Sequence, residues 1–163
     1  MSAYQIRPLK ERDIESIIGI DALVTGAAGP DRAGFWRGLL SMGLAPPDPD
    51  YAGAEVLPAA PHLVEVAVSS PSQGGAVVGF VIGDVQSWQF GIPRHGRIVT
   101  IGVHPDHRRH GVAKMLAESL IASFRKMRLP FVHCMVRPGD PLGEFFRSVG
   151  FRESEFDMLE KQI

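Results

Sequence analysis

Cysteine is almost absent from this sequence, and the one residue of that type, Cys134, excludes an intrachain disulfide and a cysteine-rich metal site. Within the apolar run 131–136 we interpret it as a small buried hydrophobe in a strand, with a nucleophilic role as the less favoured alternative. No grouping of histidine and carboxylate residues has metal-ligand spacing. We therefore expect no metal.

The sequence also lacks an excess of charge of one sign and a long run of apolar residues. The formal net charge is −1, which gives no field that would attract nucleic acid. No apolar run approaches the roughly 18 to 20 residues that span a bilayer, and charges of both signs alternate near the N-terminus instead of forming a signal peptide. We expect a cytoplasmic protein without a nucleic-acid or membrane partner. The 45% of hydrophobic residues can fill the core of one domain spanning 1–163.

Apolar periodicity predicts strands that alternate with helices. Strands are expected near residues 4–8, 62–69, 76–84, 97–103, 131–136 and 156–161, and helices near 11–24, 32–42, 110–127 and 141–149. This alternation indicates an α/β fold in which helices pack on a sheet. Residues 44–61 are rich in proline and have few periodic apolar positions, which predicts a long loop.

The most informative stretch is 103–116, where a β-branched strand ends in a basic loop that opens into an amphipathic helix. The first N–H groups of such a helix lack intrahelical acceptors and lie at the positive end of its macrodipole. Gly111 and Ala113 have almost no side chain to keep an anion away. Positive charge is added by Arg108, Arg109, Lys114 and, when protonated, His104, His107 and His110. The stretch predicts a cradle for a pyrophosphate.

The spacing Arg108-x-x-Gly111-x-Ala113 resembles the Gln/Arg-x-x-Gly-x-Gly/Ala signature of the GCN5-related N-acetyltransferases, the GNAT family. Residues 141–151, a short helix that closes on Gly-Phe, are similar to the final motif of that family. With the N-terminal strand and helix included, the resemblance spans nearly the whole chain. It implies a GNAT-like mixed central sheet with helices on both faces and splayed central strands. It also implies acetyl-CoA as co-substrate, an amine acceptor, and a pantetheine arm lying between the splayed strands.

The resemblance also assigns site residues. The residues that it implies for CoA binding are Ile101, Val103, Arg108, Arg109, His110, Gly111, Val112, Ala113, Lys114 and Phe146. The backbone N–H near Val103 would contact the developing oxyanion. The tyrosine that the family commonly uses to protonate the thiolate falls at Phe146, which has no proton to donate, so we interpret Phe146 as packing against the pantetheine or acetyl group. The family asparagine is also missing near Gly139 and Asp140.

A general base is harder to assign, because the strand glutamate that serves many family members has no counterpart in residues 97–103. The candidates are Glu65, Asp84, His95, His104, His133 and Glu144, and no spacing singles one out. His104 is nearest the reactive segment, and with Val103 it is our candidate for catalysis, although a role in the phosphate loop is favoured for it. A lysine, with a pKa of about 10.4, needs a base more than an N-terminal amine of about 7.7 to 8 does.

The resulting hypothesis is an N-acetyltransferase that acts on a primary amine, with a protein or peptide amine, on lysine or the N-terminus, ahead of a small-molecule amine. The alternative is a CoA-sensing or regulatory module with little catalysis, which the missing tyrosine and glutamate support. A more distant alternative is an anion-binding helix in an unrelated α/β protein. The apolar loop 88–93 can line the acceptor site or a homodimer contact, and Phe35 with Trp36 can border the acceptor cleft. Simple packing over the sheet explains the loop at least as well, and an aromatic pair on an amphipathic helix usually belongs to the core.

Overall fold

A five-stranded sheet organises the part of the chain that the computed structural model describes, residues 3–26, 32–41, 62–87 and 91–163. In their order across the sheet, the strands are β1 (Tyr4–Pro8), β2 (Leu63–Ser69), β3 (Val77–Gln86), β4 (His95–Val103) and β5 (Val132–Cys134). The first four are antiparallel to their neighbours, whereas β4 and β5 are parallel. The helices are α1 (Ile14–Thr25), α2 (Ala33–Ser41), α3 (Val112–Lys126) and α4 (Pro141–Ser148). The mixed sheet predicted from the sequence is confirmed.

The sheet separates two apolar cores, because successive side chains of a strand point to opposite faces. On β3, Phe80 and Ile82 join the core that contains α1, whereas Val81 and Val85 join the core that contains α3. Helix α2 adds Trp36 to the first core, where its ring centroid lies 4.9 Å from that of Phe80. Helices therefore cover both faces, and Trp36 is a core residue.

Helix α3 packs unusually close to the sheet. Its buried stripe consists of Val112, Leu116, Ala117, Leu120 and Phe124. Two glycines in the sheet leave space for the ring of Phe124. A Cβ atom built on Gly83 would lie 2.7 Å from the ring of Phe124, and one built on Gly96 would lie 2.8 Å from it. This face of β3 and β4 is therefore closed by an aromatic ring.

Strand β4 contains a bulge, because the pairing with β3 skips Val99. The bulge reverses which side chains face which core. Gly96, before the bulge, faces α3, whereas a Cβ atom built on Gly102, after the bulge, would lie 2.7 Å from the ring of Phe80 in the opposite core.

Strand β5 accompanies β4 along only part of its length. The paired residues are Gly96 with Val132, Arg97 with His133, and Ile98 with Cys134. Beyond this point no strand in the described part of the chain pairs with residues 99–103 of β4 on the β5 side. The two strands therefore separate toward the C-terminal end of β4, as the splayed arrangement expected from the sequence requires.

The chain after α4 differs from the sequence prediction. Residues 151–163 contain no helix or strand, so the strand expected near 156–161 is wrong. Met158 and Leu159 are 72% and 94% exposed. A strand is stabilised by backbone bonds to a neighbour, and β5, also shorter than expected, offers an edge of only three residues.

Two expected loops fall at least partly outside the described residues, namely 44–61 and the part of the loop 88–93 that precedes residue 91. No helix among the described residues is long and apolar enough to cross a membrane.

Candidate active site

The loop between β4 and α3 follows a tight path. It starts with a 3-10 turn over Pro105–His107, and then Arg109 and Gly111 adopt left-handed backbone conformations with φ of 65° and 78°. Glycine adopts this conformation without strain, whereas arginine does so rarely. No described atom lies within 4 Å of a Cβ atom built on Gly111. The loop is therefore strained at Arg109 and open at Gly111, immediately before α3.

The backbone N–H groups of residues 109–114 have no hydrogen-bond acceptor among the described residues. The first bond of α3 runs from the N–H of Met115 to the carbonyl oxygen of Gly111, at 3.0 Å. Unpaired N–H groups at a helix start carry the positive end of the macrodipole and bind phosphate groups well. The structure therefore gathers Arg109, His110, Gly111, Val112, Ala113 and Lys114 around one set of donors.

Arg108 links this loop to the end of β4. Its Nε donates a hydrogen bond to the carbonyl oxygen of Val103 at 3.3 Å. Nothing in the sequence indicated this contact. At the other side of the loop, the hydroxyl of Tyr4 and Nδ1 of His107 are hydrogen-bonded at 3.2 Å. The loop is therefore attached to β4 by Arg108 and to β1 by His107.

His104 serves the turn that follows it. Its Nδ1 accepts a hydrogen bond from the N–H of Asp106 at 3.3 Å, and the Asp106 carboxylate lies 3.8 Å from the same nitrogen. This arrangement agrees with the favoured interpretation of His104 as a residue of the phosphate loop.

The unpaired edge of β4 presents backbone groups. The N–H of His104 donates to the carbonyl oxygen of Val78 at 2.8 Å, and the next pair along the ladder is Val103 with Gly79. Hydrogen-bonded and non-hydrogen-bonded pairs alternate in an antiparallel ladder. The N–H groups of Val103 and Ile101 therefore point away from β3, toward the edge that β5 leaves open.

Phe146 of α4 is 3% exposed and belongs to the same core as Val103. Its ring centroid lies 5.1 Å from that of Phe145 and 5.0 Å from that of Phe151. The structure agrees with a packing role for Phe146, while its contact with CoA stays a prediction. Asp140, in the region of the missing asparagine, caps α4 by accepting a hydrogen bond from the N–H two residues later at 2.8 Å.

The candidate bases are scattered, with one exception. Glu65 lies beneath α3, where the hydroxyl of Ser123 donates to its Oε1 at 3.1 Å, and Glu144 is exposed on α4. Three others, Asp84, His95 and His133, come together beside Arg97 on the face of the sheet that carries α1.

Asp84, Arg97 and His133 form a row across three neighbouring strands, because Arg97 is the register partner of both of the others. The guanidinium of Arg97 binds the carboxylate of Asp84 through two hydrogen bonds, at 3.0 Å and 2.5 Å. The amide of Gln86 donates to the same carboxylate at 2.8 Å. A carboxylate held in this way is a poor candidate for a general base, because three of its roughly four lone-pair sites already accept hydrogen bonds.

His95 packs against the end of this row. The ring is 1% exposed, and its Nδ1 donates to the carbonyl oxygen of Pro93 at 2.7 Å. It stacks on Phe131 at a centroid distance of 4.8 Å and meets the ring of His133 at 4.5 Å. Its Nε2 is buried and has no hydrogen-bond partner among the residues that the structure describes.

His133, beside His95, is half-buried on β5. Burial lowers its pKa below 6.5, the positive charge near His95 and Arg97 lowers it further, and Asp84 opposes them. The imidazole is therefore neutral near pH 7. Asp84, His95 and His133 were each candidates from the sequence. Their proximity could not be predicted, because residue spacing does not reveal strand register.

Cys134, next to His133 on β5, is a structural residue. Burial raises the pKa of its thiol to about 11, so the reactive thiolate is scarce near neutral pH. Among the described residues, no three histidine, cysteine or carboxylate side chains are placed to hold a metal ion.

Most of the chain matches a known protein family. Residues 42–151 match the model of a family described as the acetyltransferase (GNAT) family. No curated protein matches the chain.

Several solved structures share the fold. AAC(6')-Iy in complex with the bisubstrate analogue CoA-S-monomethyl-acetylneamine is 16% identical, with 99% of each chain covered and a TM-score of 0.71. Ribosomal-protein-alanine N-acetyltransferase from Brucella melitensis is 20% identical, with 99% of each chain covered and a TM-score of 0.69. The aminoglycoside 6'-N-acetyltransferase AAC(6')-Ih from Acinetobacter baumannii is 14% identical, with 98% of each chain covered and a TM-score of 0.70.

Proposed function

Because this chain belongs to the GNAT family of acetyl-CoA-dependent N-acetyltransferases, we propose that it acetylates a primary amine of a protein or peptide, on lysine or at an N-terminus. The observation that carries the proposal is the continuity between two sets of free backbone donors. The unpaired N–H groups of residues 109–114 lead directly to the open edge of β4. Together they fit a pyrophosphate followed by an extended, amide-containing arm.

The residues predicted to bind the co-substrate, other than Arg108, have the following roles in this arrangement. Residues 109–114 bind the pyrophosphate through backbone N–H groups, and Lys114 adds a charge at the helix start. The N–H groups of Ile101 and Val103 bind the arm and the thioester carbonyl, where negative charge develops during attack. Phe146 packs beside the arm from α4. Acetyl-CoA supplies an activated acetyl group, and the protein supplies position and donors.

The balance of charge on the α1 face supports a single amine as the acceptor. Asp84 is paired with Arg97, and His133 is neutral near pH 7, so the row carries no excess negative charge for a polycation. A peptide amine needs no such excess. A small-molecule amine is the second candidate, because AAC(6')-Iy and AAC(6')-Ih, which share the fold, act on aminoglycosides.

The proposal is tested by measuring CoA release from acetyl-CoA with three acceptors. These are a lysine-free peptide with a free N-terminal alanine, an N-terminally blocked peptide with one lysine, and the aminoglycoside neamine. We expect turnover with at least one peptide and little with neamine. Turnover with neamine and with neither peptide would show that the acceptor is a small-molecule amine and would contradict the proposed peptide acceptor. Binding of acetyl-CoA by calorimetry without turnover on any acceptor would favour the CoA-sensing module.

Two further expectations from the sequence stay predictions, namely a cytoplasmic location and a homodimer. Sedimentation of the purified protein tests the second of these directly.

A further inference from the structure

Beyond its junction with β5, strand β4 is accessible at one short stretch. Val99 is 43% exposed, and Thr100 and Ile101 are half-buried. Ile98, before this stretch, and Gly102, after it, are buried. The pairing with β5 ends at Ile98, so β5 does not cover the stretch. An acceptor that arrives from solvent therefore reaches β4 at these three residues.

This exposure distinguishes the two N–H groups at the open edge. An arm that starts at the phosphate loop passes Val103 first and Ile101 afterwards. Val103 is 8% exposed, whereas Ile101 belongs to the accessible stretch. The acyl end of the arm is the end farthest from the phosphate groups. The N–H of Ile101 is therefore the donor at which an acceptor can meet the thioester carbonyl.

The side chain that precedes this N–H, Thr100, lies on the face of the sheet that carries α1. Its register partner is Ile82 of β3, which belongs to the core that contains α1. Side chains of register partners lie on the same face. Ile98, on the other side of the bulge, belongs to the core that contains α3. The bulge therefore brings the hydroxyl of Thr100 to the α1 face at the start of the open edge.

Helix α3 covers the opposite face at the same level. The side chain of Ile101 packs against the core that contains α3. A Cβ atom built on Gly79 of β3, which pairs two residues further along β4, would lie 3.2 Å from Leu116 and 3.3 Å from Val112. An amine that attacks a carbonyl group at this edge therefore approaches from the α1 face, which carries Thr100.

The hydroxyl of Thr100 is close to the N–H of Ile101 through the covalent chain. Four bonds join Oγ1 of Thr100 to the nitrogen of Ile101, which keeps the two atoms within about 5 Å in every rotamer. The hydroxyl has no hydrogen-bond partner among the residues that the structure describes, and it is not one of their buried polar atoms. It is therefore free to bind a substrate group beside the thioester carbonyl.

We infer that the hydroxyl of Thr100 accepts a hydrogen bond from the acceptor amine and directs the amine at the thioester carbon, while the N–H of Ile101 binds the carbonyl oxygen. This inference rests on the acetyltransferase function proposed above and deepens it. A hydroxyl oxygen has two acceptor sites and can bind an N–H of an amine or an ammonium group. Its hydrogen bond is stronger when the nitrogen is charged, and positive charge develops on the nitrogen during attack. Thr100 therefore stabilises the transition state more than the complex with the neutral amine.

Thr100 takes up no proton in this scheme. The acceptor ammonium loses one proton to water, and the lone pair of the free amine attacks the thioester carbon. A C–N bond forms, and the carbonyl becomes an oxyanion held by the N–H of Ile101. When the carbonyl re-forms, the C–S bond breaks and its electron pair leaves with sulfur. The nitrogen then loses a second proton, which the thiolate takes up.

The test compares the wild type with Thr100→Val and Thr100→Ser, using acetyl-CoA and whichever of the three acceptors is acetylated. Thr100→Val removes the hydroxyl and keeps a β-branched shape that suits a strand. We expect it to lower kcat/KM for the acceptor by about 10- to 100-fold, the effect of losing a hydrogen bond to a charged group. Acetyl-CoA affinity should stay within about twofold, because this hydroxyl does not bind the co-substrate. Thr100→Ser should recover most of the loss.

Thr25→Val is the matched control, because it makes the same chemical change where the hydroxyl is already bonded within α1. The hydroxyl of Thr25 donates to the carbonyl oxygen of Asp21 at 2.8 Å. This variant should keep kcat/KM within about threefold of the wild type. If Thr100→Val does not fold, Thr100→Ala takes its place.

A readout independent of turnover is the affinity of the acceptor for the CoA-bound protein, which has no acetyl group to transfer. Calorimetry should show that Thr100→Val weakens this binding by at least about threefold and that Thr100→Ser restores it. A folded Thr100→Val protein with unchanged kcat/KM and unchanged acceptor affinity would overturn the inference while the acetyltransferase function stands. A lower kcat with unchanged acceptor affinity would overturn the contact with the amine. Acetyl-CoA binding without turnover of any acceptor by the wild type would overturn the function itself, and the inference with it.

Discussion

At the scale of single residues, Arg108 has two tasks that the sequence motif did not separate. Its charge lies beside the start of α3, and its Nε holds the carbonyl of Val103 at 3.3 Å. The second contact links the loop to the end of the strand. A substitution therefore changes both the charge and the position of the donors that follow.

We expect Arg108→Ala to weaken acetyl-CoA binding by about 1.5 to 3 kcal/mol, the range for a hydrogen bond to a charged group. Arg108→Lys should recover part of the loss, because it keeps the charge and loses the Nε contact. Arg128→Ala is the matched control, since it removes an exposed arginine two residues beyond the far end of α3. Calorimetry measures all three. Equal affinities in folded Arg108→Ala and Arg128→Ala would contradict the cradle assignment.

Phe146 offers a second test at this scale, because the family resemblance places a proton-donating tyrosine at this position. We expect Phe146→Tyr to change kcat by less than about tenfold, or roughly 1.4 kcal/mol in barrier. A thiolate with a pKa near 8.5 already leaves readily, so protonation need not limit the rate. Steady-state kinetics measure the effect, with Phe145→Tyr on the same helix as the control. A much larger gain in Phe146→Tyr would favour a natural protein with little catalysis.

At the scale of helices and strands, the close approach of α3 to the sheet depends on two glycines. Gly96 faces Phe124, which is 1% exposed, and a Cβ atom built on this glycine would lie 2.8 Å from the ring. Gly19, in the middle of a helix, has open space where a side chain would lie. Gly19 of α1 is exposed, and no described atom lies within 4 Å of a Cβ atom built on it.

Gly96→Ala should therefore lower the free energy of unfolding by about 1 to 3 kcal/mol through overpacking. Gly19→Ala should raise it by about 0.5 to 1 kcal/mol, because alanine loses less backbone freedom in a helix. Urea unfolding of both variants measures the two signs. A stabilised Gly96→Ala protein would mean that Phe124 is not seated against β4.

Elements such as α3 could be predicted from the sequence because their periodicity is local. The stripe that begins at Val112 and the motif at Gly111 lie within a few turns of one another. The row of Asp84, Arg97 and His133 could not be predicted, because it depends on the register of three strands and on a bulge. The expected strand near 156–161 was wrong for a related reason: alternation of apolar residues does not say whether a neighbouring edge exists.

At the scale of the whole molecule, a buried ion pair joins β1 to the turn that leads into α1. The guanidinium of Arg7 binds the carboxylate of Asp13 at 2.6 Å and 2.9 Å, and the N–H of Lys10 donates to the same carboxylate at 2.8 Å. Burial alone would raise the pKa of Asp13, but the bonds from Arg7 and Lys10 outweigh it and lower that pKa below 3.8. The free energy of unfolding therefore depends on pH through this ion pair.

Because the folded pKa of Asp13 is depressed, its stabilisation is complete above the unfolded value of about 3.9 and is lost as the pH falls through the lower folded value. Asp13→Asn should lower the free energy of unfolding by about 1.5 to 3 kcal/mol at pH 7. The difference from the wild type should shrink below about pH 4. Glu15→Gln is the control, because its pair with Arg37 is exposed. Urea unfolding from pH 2.5 to 7 measures both variants, and a constant Asp13→Asn difference would contradict the assignment.

The bulge at Val99 divides β4 into two segments in which opposite sets of alternating side chains face α3. Before it, the even-numbered residues Gly96 and Ile98 belong to the α3 side, and after it, the odd-numbered Ile101 and Val103 do. Ile98 and Thr100 lie on opposite faces and pair with consecutive residues of β3, so deletion of Val99 would leave a regular strand with the other side chains on their present faces. Deletion of Gly102, with the phosphate loop fixed, would instead turn Ile101 toward the opposite core. A deletion scan through residues 97–102, measured by urea unfolding, should therefore show a smaller loss of stability at Val99 than at Gly102.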